Sequence, residues 1–172
     1  MRINSTVALL LLTLGRTPLV GDAQTPDRRA HEHAAPGARS DTAFAALQQR
    51  GARVMGVDQY TSTHRFEALP DGGRIVLQRD VDDTAGVRAI RAHLRGIARA
   101  FAAGDFSASA AVHAMAVPGT AVMRSRHRAI RYEFRELPRG GEVRIVTRDS
   151  AAVRAVHEFL AFQRADHRTG EK

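Results

Sequence analysis

The chain has 172 residues, of which 44% are hydrophobic, and this is enough for one domain with a hydrophobic core. It contains no cysteine, which excludes disulfides, thiolate metal sites and cysteine nucleophiles. The formal net charge is +8, and 25 of the 26 basic residues are arginine. We attribute the basicity to a GC-rich coding bias at exposed positions, with a polyanion-binding surface as the alternative.

Residues 1–23 have the form of a secretory signal peptide. Arg2 precedes an apolar run at residues 7–14 that is too short to span a bilayer, and Gly21 and Ala23 offer a cleavage site. We therefore predict a periplasmic or secreted protein. No transmembrane segment is predicted once the signal peptide has been removed.

A polar segment and a short helix are predicted to follow the signal peptide. Residues 24–40 hold no large apolar side chain, so this segment is predicted to be a disordered mature N-terminus. Ser40 can then cap a helix in which Phe44 and Leu47 share one face. Gly51 is predicted to end this helix.

The remainder, residues 41–170, is predicted to be a single α+β domain that contains an internal repeat. The pattern Phe-x-x-Leu-Pro-x-Gly-Gly at residues 66–73 recurs at 134–141, and a Val-Arg-Ala helix start follows in both copies. Each copy reads as strand, turn, strand and helix. Two such ββα repeats predict a four-stranded antiparallel sheet with two helices packed on one face, plus the short N-terminal helix.

The two repeat units cover about residues 58–101 and 128–167, and an insertion at residues 102–127 separates them. The first strand is predicted within residues 54–69, with an interruption near Gly56. Turn residues divide the insertion, which is predicted to form short strands or an extended crossover.

Three stretches resemble a family of small exported bacterial proteins with no assigned function. They read Met-Gly-Val-Asp-Gln-Tyr-Thr-Ser-Thr-His at residues 55–64, Val-Pro-Gly-Thr-Ala-Val-Met at 117–123 and His-Glu-Phe-Leu-Ala-Phe-Gln-Arg-Ala-Asp-His at 157–167. The resemblance covers about residues 42–170. It implies export, and it supplies no activity and no site residues.

Residues that differ between the two copies are the candidates for function, because the shared residues serve the fold. His167 takes the place of Phe101 in the first helix, and His64 takes that of Tyr132 on an inward strand face. Imidazole and thioether groups suit copper, and imidazole also suits zinc. The candidate metal ligands are His64, His93, His113, Met115, Met123, His157 and His167. The alternative is that these His are half-buried and hydrogen-bonded, and that the Met side chains fill gaps in the core.

A second candidate surface is the outer face of the sheet. Strand alternation places six arginines there, with Glu67, Glu133 and Glu142 between them; they are Arg65, Arg74, Arg131, Arg135, Arg144 and Arg148. Such a face could bind an anionic envelope component or a partner protein, or could form a homodimer. We favour a solvated surface of Arg and Glu pairs. No aromatic residues interleave for base stacking, so no nucleic acid partner is expected.

No nucleotide-binding or hydrolase motif is present, and no catalytic residue is predicted. The function predicted from sequence is that of an exported, non-enzymatic binding or accessory protein of the bacterial cell envelope that binds a transition metal, copper or zinc, through His and Met. The alternative is an anion-binding, protein-binding or dimerising module that uses the arginine-rich sheet face.

Overall fold

The computed structural model describes residues 40–56 and 59–169. The predicted signal peptide and nearly all of the predicted disordered segment lie outside these residues. The elements in chain order are α1 (Asp41–Met55), β1 (Ser62–Leu69), β2 (Gly72–Arg79), α2 (Thr84–Ala102), α3 (Ser107–His113), α4 (Thr120–Ser125), β3 (Ile130–Leu137), β4 (Gly140–Thr147) and α5 (Ser150–Asp166). None of the helices within the described ranges is long and apolar enough to cross a bilayer.

The four strands form one antiparallel sheet in the order β1-β2-β4-β3, which confirms the predicted fold class. The two hairpins meet along β2 and β4. Ile75 pairs there with Val143, which holds the corresponding position of the second repeat. A local two-fold axis therefore passes between these two residues and relates the two ββα units.

The two long helices cover one face of the sheet, and each packs mainly on the hairpin of the other repeat. The second glycine of each hairpin turn permits this close approach. A Cβ atom at Gly73 would lie 2.2 Å from Leu160 Cδ1 of α5, and one at Gly141 would lie 3.2 Å from Leu94 Cδ1 of α2. The repeated Leu-Pro-x-Gly-Gly turn is thus a packing requirement of the fold.

Hydrogen bonds also connect each long helix to the hairpin of the other repeat. Arg91 of α2 donates to the carbonyl oxygens of Leu137 and Gly140, at 2.8 and 3.0 Å. His157, the corresponding residue of α5, donates through Nε2 to the carbonyl oxygen of Leu69 at 2.9 Å. Leu69 and Leu137 hold equivalent positions, so His157 has a structural role that Arg91 shares.

Two local predictions near the N-terminus of the domain are wrong. Helix α1 continues through Gly51 to Met55 and is capped by Gly56, where the backbone turns left-handed with φ +66°. Glycine ends a helix where this conformation is needed, and Gly51 remains helical and buried. The first strand begins only at Ser62, because residues 59–61 form a 3₁₀ turn in which Tyr60 is 69% exposed.

The insertion at residues 102–127 contains helices and not the predicted strands. Asp105 accepts a hydrogen bond from the Ser107 backbone N–H, and the alanine-rich α3 follows. Helix α3 packs on α1, and α4 packs on α5. Gly119 precedes α4 with φ +79°, and a Cβ atom there would lie 2.1 Å from the Ala155 carbonyl oxygen of α5. The insertion is therefore held closely against the second repeat.

Candidate functional site: a histidine-lined cavity

A small cavity of about 60 Å³ lies on the helical side of the sheet. Strands β1 and β2 form its floor, and residues from α1, α2, α3 and α5 form its walls. Most of the lining is aliphatic or aromatic. The polar lining residues are His64, His93, Ser109, His113, Gln163 and His167. We call this feature the histidine cavity. It is far smaller than the pockets of about 300 Å³ or more that hold drug-sized ligands, so its size suits an ion or a very small molecule.

His167 contacts two other imidazole rings, those of His64 and His113. His64 points inward from β1 and stacks on His167, with ring centroids 5.3 Å apart and an angle of 18° between the planes. His167 follows the end of α5 and meets His113 edge to face, with centroids 5.2 Å apart. His64 and His167 both also contact the ring of Phe66. The first strand, the insertion and the last helix thus each contribute one imidazole.

His113 is the most deeply buried member of the group, with 2% of its surface exposed. Its Nδ1 hydrogen-bonds to Asp166 Oδ2, and its Nε2 lies 3.0 Å from Gln163 Oε1. A carboxylate and an amide oxygen both accept hydrogen bonds, so each nitrogen of the His113 ring faces a hydrogen-bond acceptor. Gln163 in turn donates to Ser109 Oγ at 3.3 Å. These contacts fix the orientation of the His113 ring.

Two further imidazoles that face the cavity, those of His64 and His93, are uncharged at neutral pH. Burial and, to a smaller extent, the neighbouring His93 ring lower the pKa of His64 to about 4. Burial likewise lowers the pKa of His93 to about 4. A neutral imidazole keeps one nitrogen lone pair, which is the form that binds metal ions.

The structure brings four of the seven candidate ligands to this cavity and leaves three elsewhere. Met123 is completely buried in the hydrophobic core, and Met115 is 45% exposed beyond the end of α3. His113 and Met115 do not lie on one extended segment, as a strand in the insertion would require, because His113 ends a helix and Ala114 turns left-handed. His157 does not line the cavity, and its Nε2 is hydrogen-bonded to the Leu69 carbonyl oxygen.

Sequence reasoning missed Ser109, Gln163 and Asp166. A signal was available in α5, whose apolar stripe runs through residues 153, 156 and 160 and then continues into polar residues at 163 and 167. Asp166 adjoins this stripe and is 5% exposed. Polar residues that continue an apolar stripe face the interior, where they need partners.

The cavity is not a formed metal site of the usual kind. Within residues 40–56 and 59–169, no group of three or more His, Asp or Glu side chains is arranged to hold a metal ion. His113 Nε2 is directed at Gln163, so a metal ion could reach this nitrogen only after the amide group moves. Imidazole is a suitable ligand for a transition metal. A metal ion in this cavity would be held by only two side chains, or the side chains would have to rearrange.

The outer face of the sheet carries a network of ion pairs. Arg74 donates two hydrogen bonds to Glu67, at 2.6 and 2.9 Å, and Arg135 lies 3.3 Å from Glu133. Glu142 lies 3.9 Å from both Arg74 and Arg135. The same face also holds Arg65, Arg131 and Arg144, each beside a carboxylate, while Arg148 follows β4 and is exposed. This pattern fits the prediction of a solvated surface of Arg and Glu pairs.

Comparison with protein-family models, with curated proteins and with solved structures gave no significant match. The resemblance to exported bacterial proteins therefore stays a prediction.

Proposed function

We propose that this chain is a non-enzymatic binding protein of the bacterial cell envelope that holds a transition metal ion in the histidine cavity, with copper as the first candidate and zinc as the second. One observation carries the proposal. Four histidines that are far apart in sequence converge on a single small cavity, and three of their rings are in contact. In a chain without cysteine, imidazole is the strongest available ligand for such ions.

The contact between His113 and Asp166 supports this function. Histidines that bind metals commonly donate their second ring N–H to a carboxylate, which fixes the ring and increases its basicity. Asp166 does this for Nδ1 and leaves Nε2 on the side of Gln163. Movement of the Gln163 amide group would make that nitrogen available as a ligand.

Export is part of the same proposal. It is supported by the signal-like pattern of residues 1–23 and by the absence of cysteine, which leaves the fold without thiols in an oxidising compartment. An exported metal-binding protein that lacks cysteine would have to use imidazole or thioether ligands in place of thiolates.

The second repeat supplies a variant that tests the metal site without disturbing the fold. Tyr132 and Phe101 are the counterparts of His64 and His167, and their rings pack 5.7 Å apart. The double variant H64Y/H167F therefore copies a pair that the fold already accommodates. We expect protein from the periplasmic fraction to contain copper or zinc, and we expect the double variant to contain neither.

Two controls separate the cavity from other histidines. H157Q changes the ring that binds the Leu69 carbonyl group, and H31S/H33S removes the histidines of the N-terminal segment. Metal analysis and calorimetric titration should give wild-type results for both controls. Equal metal binding by H64Y/H167F and the wild-type chain would refute the proposal, as would recovery of a metal-free chain that binds neither ion on titration.

The alternative function, binding of an anion or partner by the sheet face, has weaker support. Arg131 and Arg135 are well exposed on the edge strand, with side chains 72% and 61% accessible, and they share Glu133. This leaves a small excess of positive charge at that edge. Arg65, Arg74 and Arg144 of the same face already have carboxylate partners.

A further inference from the structure

We propose that the open edge of β3, together with the groove between β3 and α2, binds an extended acidic segment of a partner protein, which adds a strand to the sheet. Strand β3 lies at one edge of the sheet and β1 at the other. The groove shares no lining residue with the histidine cavity, so the site does not depend on metal binding. Its support comes from the backbone of β3, the shape of the groove and the charge around it.

The two edge strands differ in how their outward backbone groups are covered. The carbonyl oxygen of Glu67 faces the neighbouring strand β2, so the adjacent carbonyl group, that of Phe66, faces the open edge of β1. Arg164 of α5 donates to this oxygen at 2.7 Å. In the second repeat Phe134 is the counterpart of Phe66, and α2 has Ala98 in place of the arginine. Alanine has no side-chain donor, so β3 lacks the protection that β1 has against pairing with another strand.

The small side chain of Ala98 also leaves a groove beside β3. This groove has a volume of about 290 Å³ and lies between α2 and the side of β3 that faces the helices. The rings of Tyr132 and Phe134 line it from the strand, and Arg95 and Arg99 line it from the helix. A strand paired with β3 would direct every second side chain into the groove and the others to the outer face. The aromatic lining suits apolar side chains at the first set of positions.

Positive charge exceeds negative charge around the same edge. Two carboxylates here each lie beside two guanidinium groups; the sets are Glu133 with Arg131 and Arg135, and Glu136 with Arg91 and Arg95. Arg99 adds a further positive charge in the groove. A second copy of β3 would bring the same excess and would be repelled, whereas an acidic segment complements it. The edge therefore selects an acidic partner over a copy of itself.

Peptides that can pair as a strand test the site on the full-length chain. The probe is a peptide of about seven residues that alternates glutamate and valine, and the matched control has lysine in place of glutamate. We expect the glutamate peptide to bind at least about 10-fold more tightly than the lysine peptide, measured by fluorescence anisotropy. Hydrogen exchange of the complex should be slowed along β3 and unchanged along β1.

Methylation of alternate backbone nitrogens removes the hydrogen-bond donors along one edge of the peptide. Of the two alternately methylated peptides, one should lose binding and the other should keep it. Equal binding of both would show that charge alone holds the peptide, and would overturn the strand addition.

A98R copies the arrangement of Arg164 in the first repeat, so it should lose peptide binding while the chain stays folded by circular dichroism. R131S/R135S leaves Ala98 in place and should weaken binding of the glutamate peptide at least about 10-fold. R88S/R154S removes two exposed arginines elsewhere and should have less than about a third of that effect.

Three results would overturn the proposal. The first is failure of the glutamate peptide to bind, and the second is equal binding of the lysine peptide. The third is self-association of the wild-type chain that A98R abolishes, which would show that a second copy occupies the edge.

Discussion

His64 and His93 make the stability of the fold depend on pH. Burial holds the pKa of each ring at about 4 in the folded chain, against an ordinary value of 6.5. Between these two values the unfolded chain binds protons that the folded chain does not, so protonation favours unfolding. The stability contribution of these residues is therefore complete above about pH 6.5 and is lost progressively as the pH falls toward 4.

We expect the melting temperature to fall by several degrees between pH 7 and pH 5, because two buried rings disfavour protonation together. The H64F variant should show a smaller fall, since phenylalanine cannot bind a proton. Asp83 and Asp149 cap helices, and hydrogen bonds from backbone N–H groups lower the pKa of both carboxyl groups below the ordinary value of 3.8. The two aspartates therefore lose their stabilising effect only at a pH below the range from 7 to 5 in which the histidines act. A melting temperature that is constant from pH 7 to 5 would contradict this assignment.

At the scale of elements, each long helix packs on the hairpin of the other repeat, and this close packing depends on the second glycine of the hairpin turn. In G73A the new methyl group would lie 2.2 Å from Leu160 Cδ1 and 2.7 Å from the Glu67 carbonyl oxygen. The side chain can shift, but the backbone oxygen in the sheet cannot move freely. We expect G73A to lower the free energy of unfolding by about 1–3 kcal/mol, measured by denaturant titration.

Gly96 provides the matched control for this substitution. It lies within α2, and a Cβ atom at this position would meet nothing within 4 Å. Alanine is the better helix former, so G96A should raise the free energy of unfolding by about 0.5–1 kcal/mol. If both variants changed stability in the same direction, the close approach of α5 to the first hairpin would not be the cause.

At the scale of the whole molecule, the arginine content could act through one surface or through net charge alone. We expect net charge alone, because most arginines of the sheet face already pair with carboxylates. The triple variants R131S/R135S/R144S and R88S/R128S/R154S each remove three positive charges, the first set on the face and the second at exposed positions elsewhere. Both should reduce binding to anionic vesicles equally, and added salt should abolish the remaining binding.

A cosedimentation assay at low and high salt makes the comparison. A much greater loss in the variant with changes on the sheet face would favour the alternative function of that face. Size-exclusion chromatography of the same proteins reports dimerisation, and we expect the wild-type chain and both variants to elute alike.

The amino-acid sequence by itself determined the architecture, because a repeat of strand, turn, strand and helix leaves few ways to bury two apolar helix stripes. Comparison of the two repeats also identified His64 and His167 as candidates for function, because the other repeat has Tyr132 and Phe101 at these positions. Local rules failed where tertiary contacts choose between equivalent signals, as at Gly51 and Gly56, which can each end a helix.

Only the tertiary structure decided which histidines meet. His64, His113 and His167 come from elements far apart in the chain, so their contact depends on how α3 and α5 pack over β1. His157 looked equivalent to them in sequence, and the fold instead uses it to bind a carbonyl group of the opposite hairpin. The spacing of the histidines in the sequence does not predict which of them come together. Packing of the whole domain decides this, because it sets the position of each helix relative to the sheet.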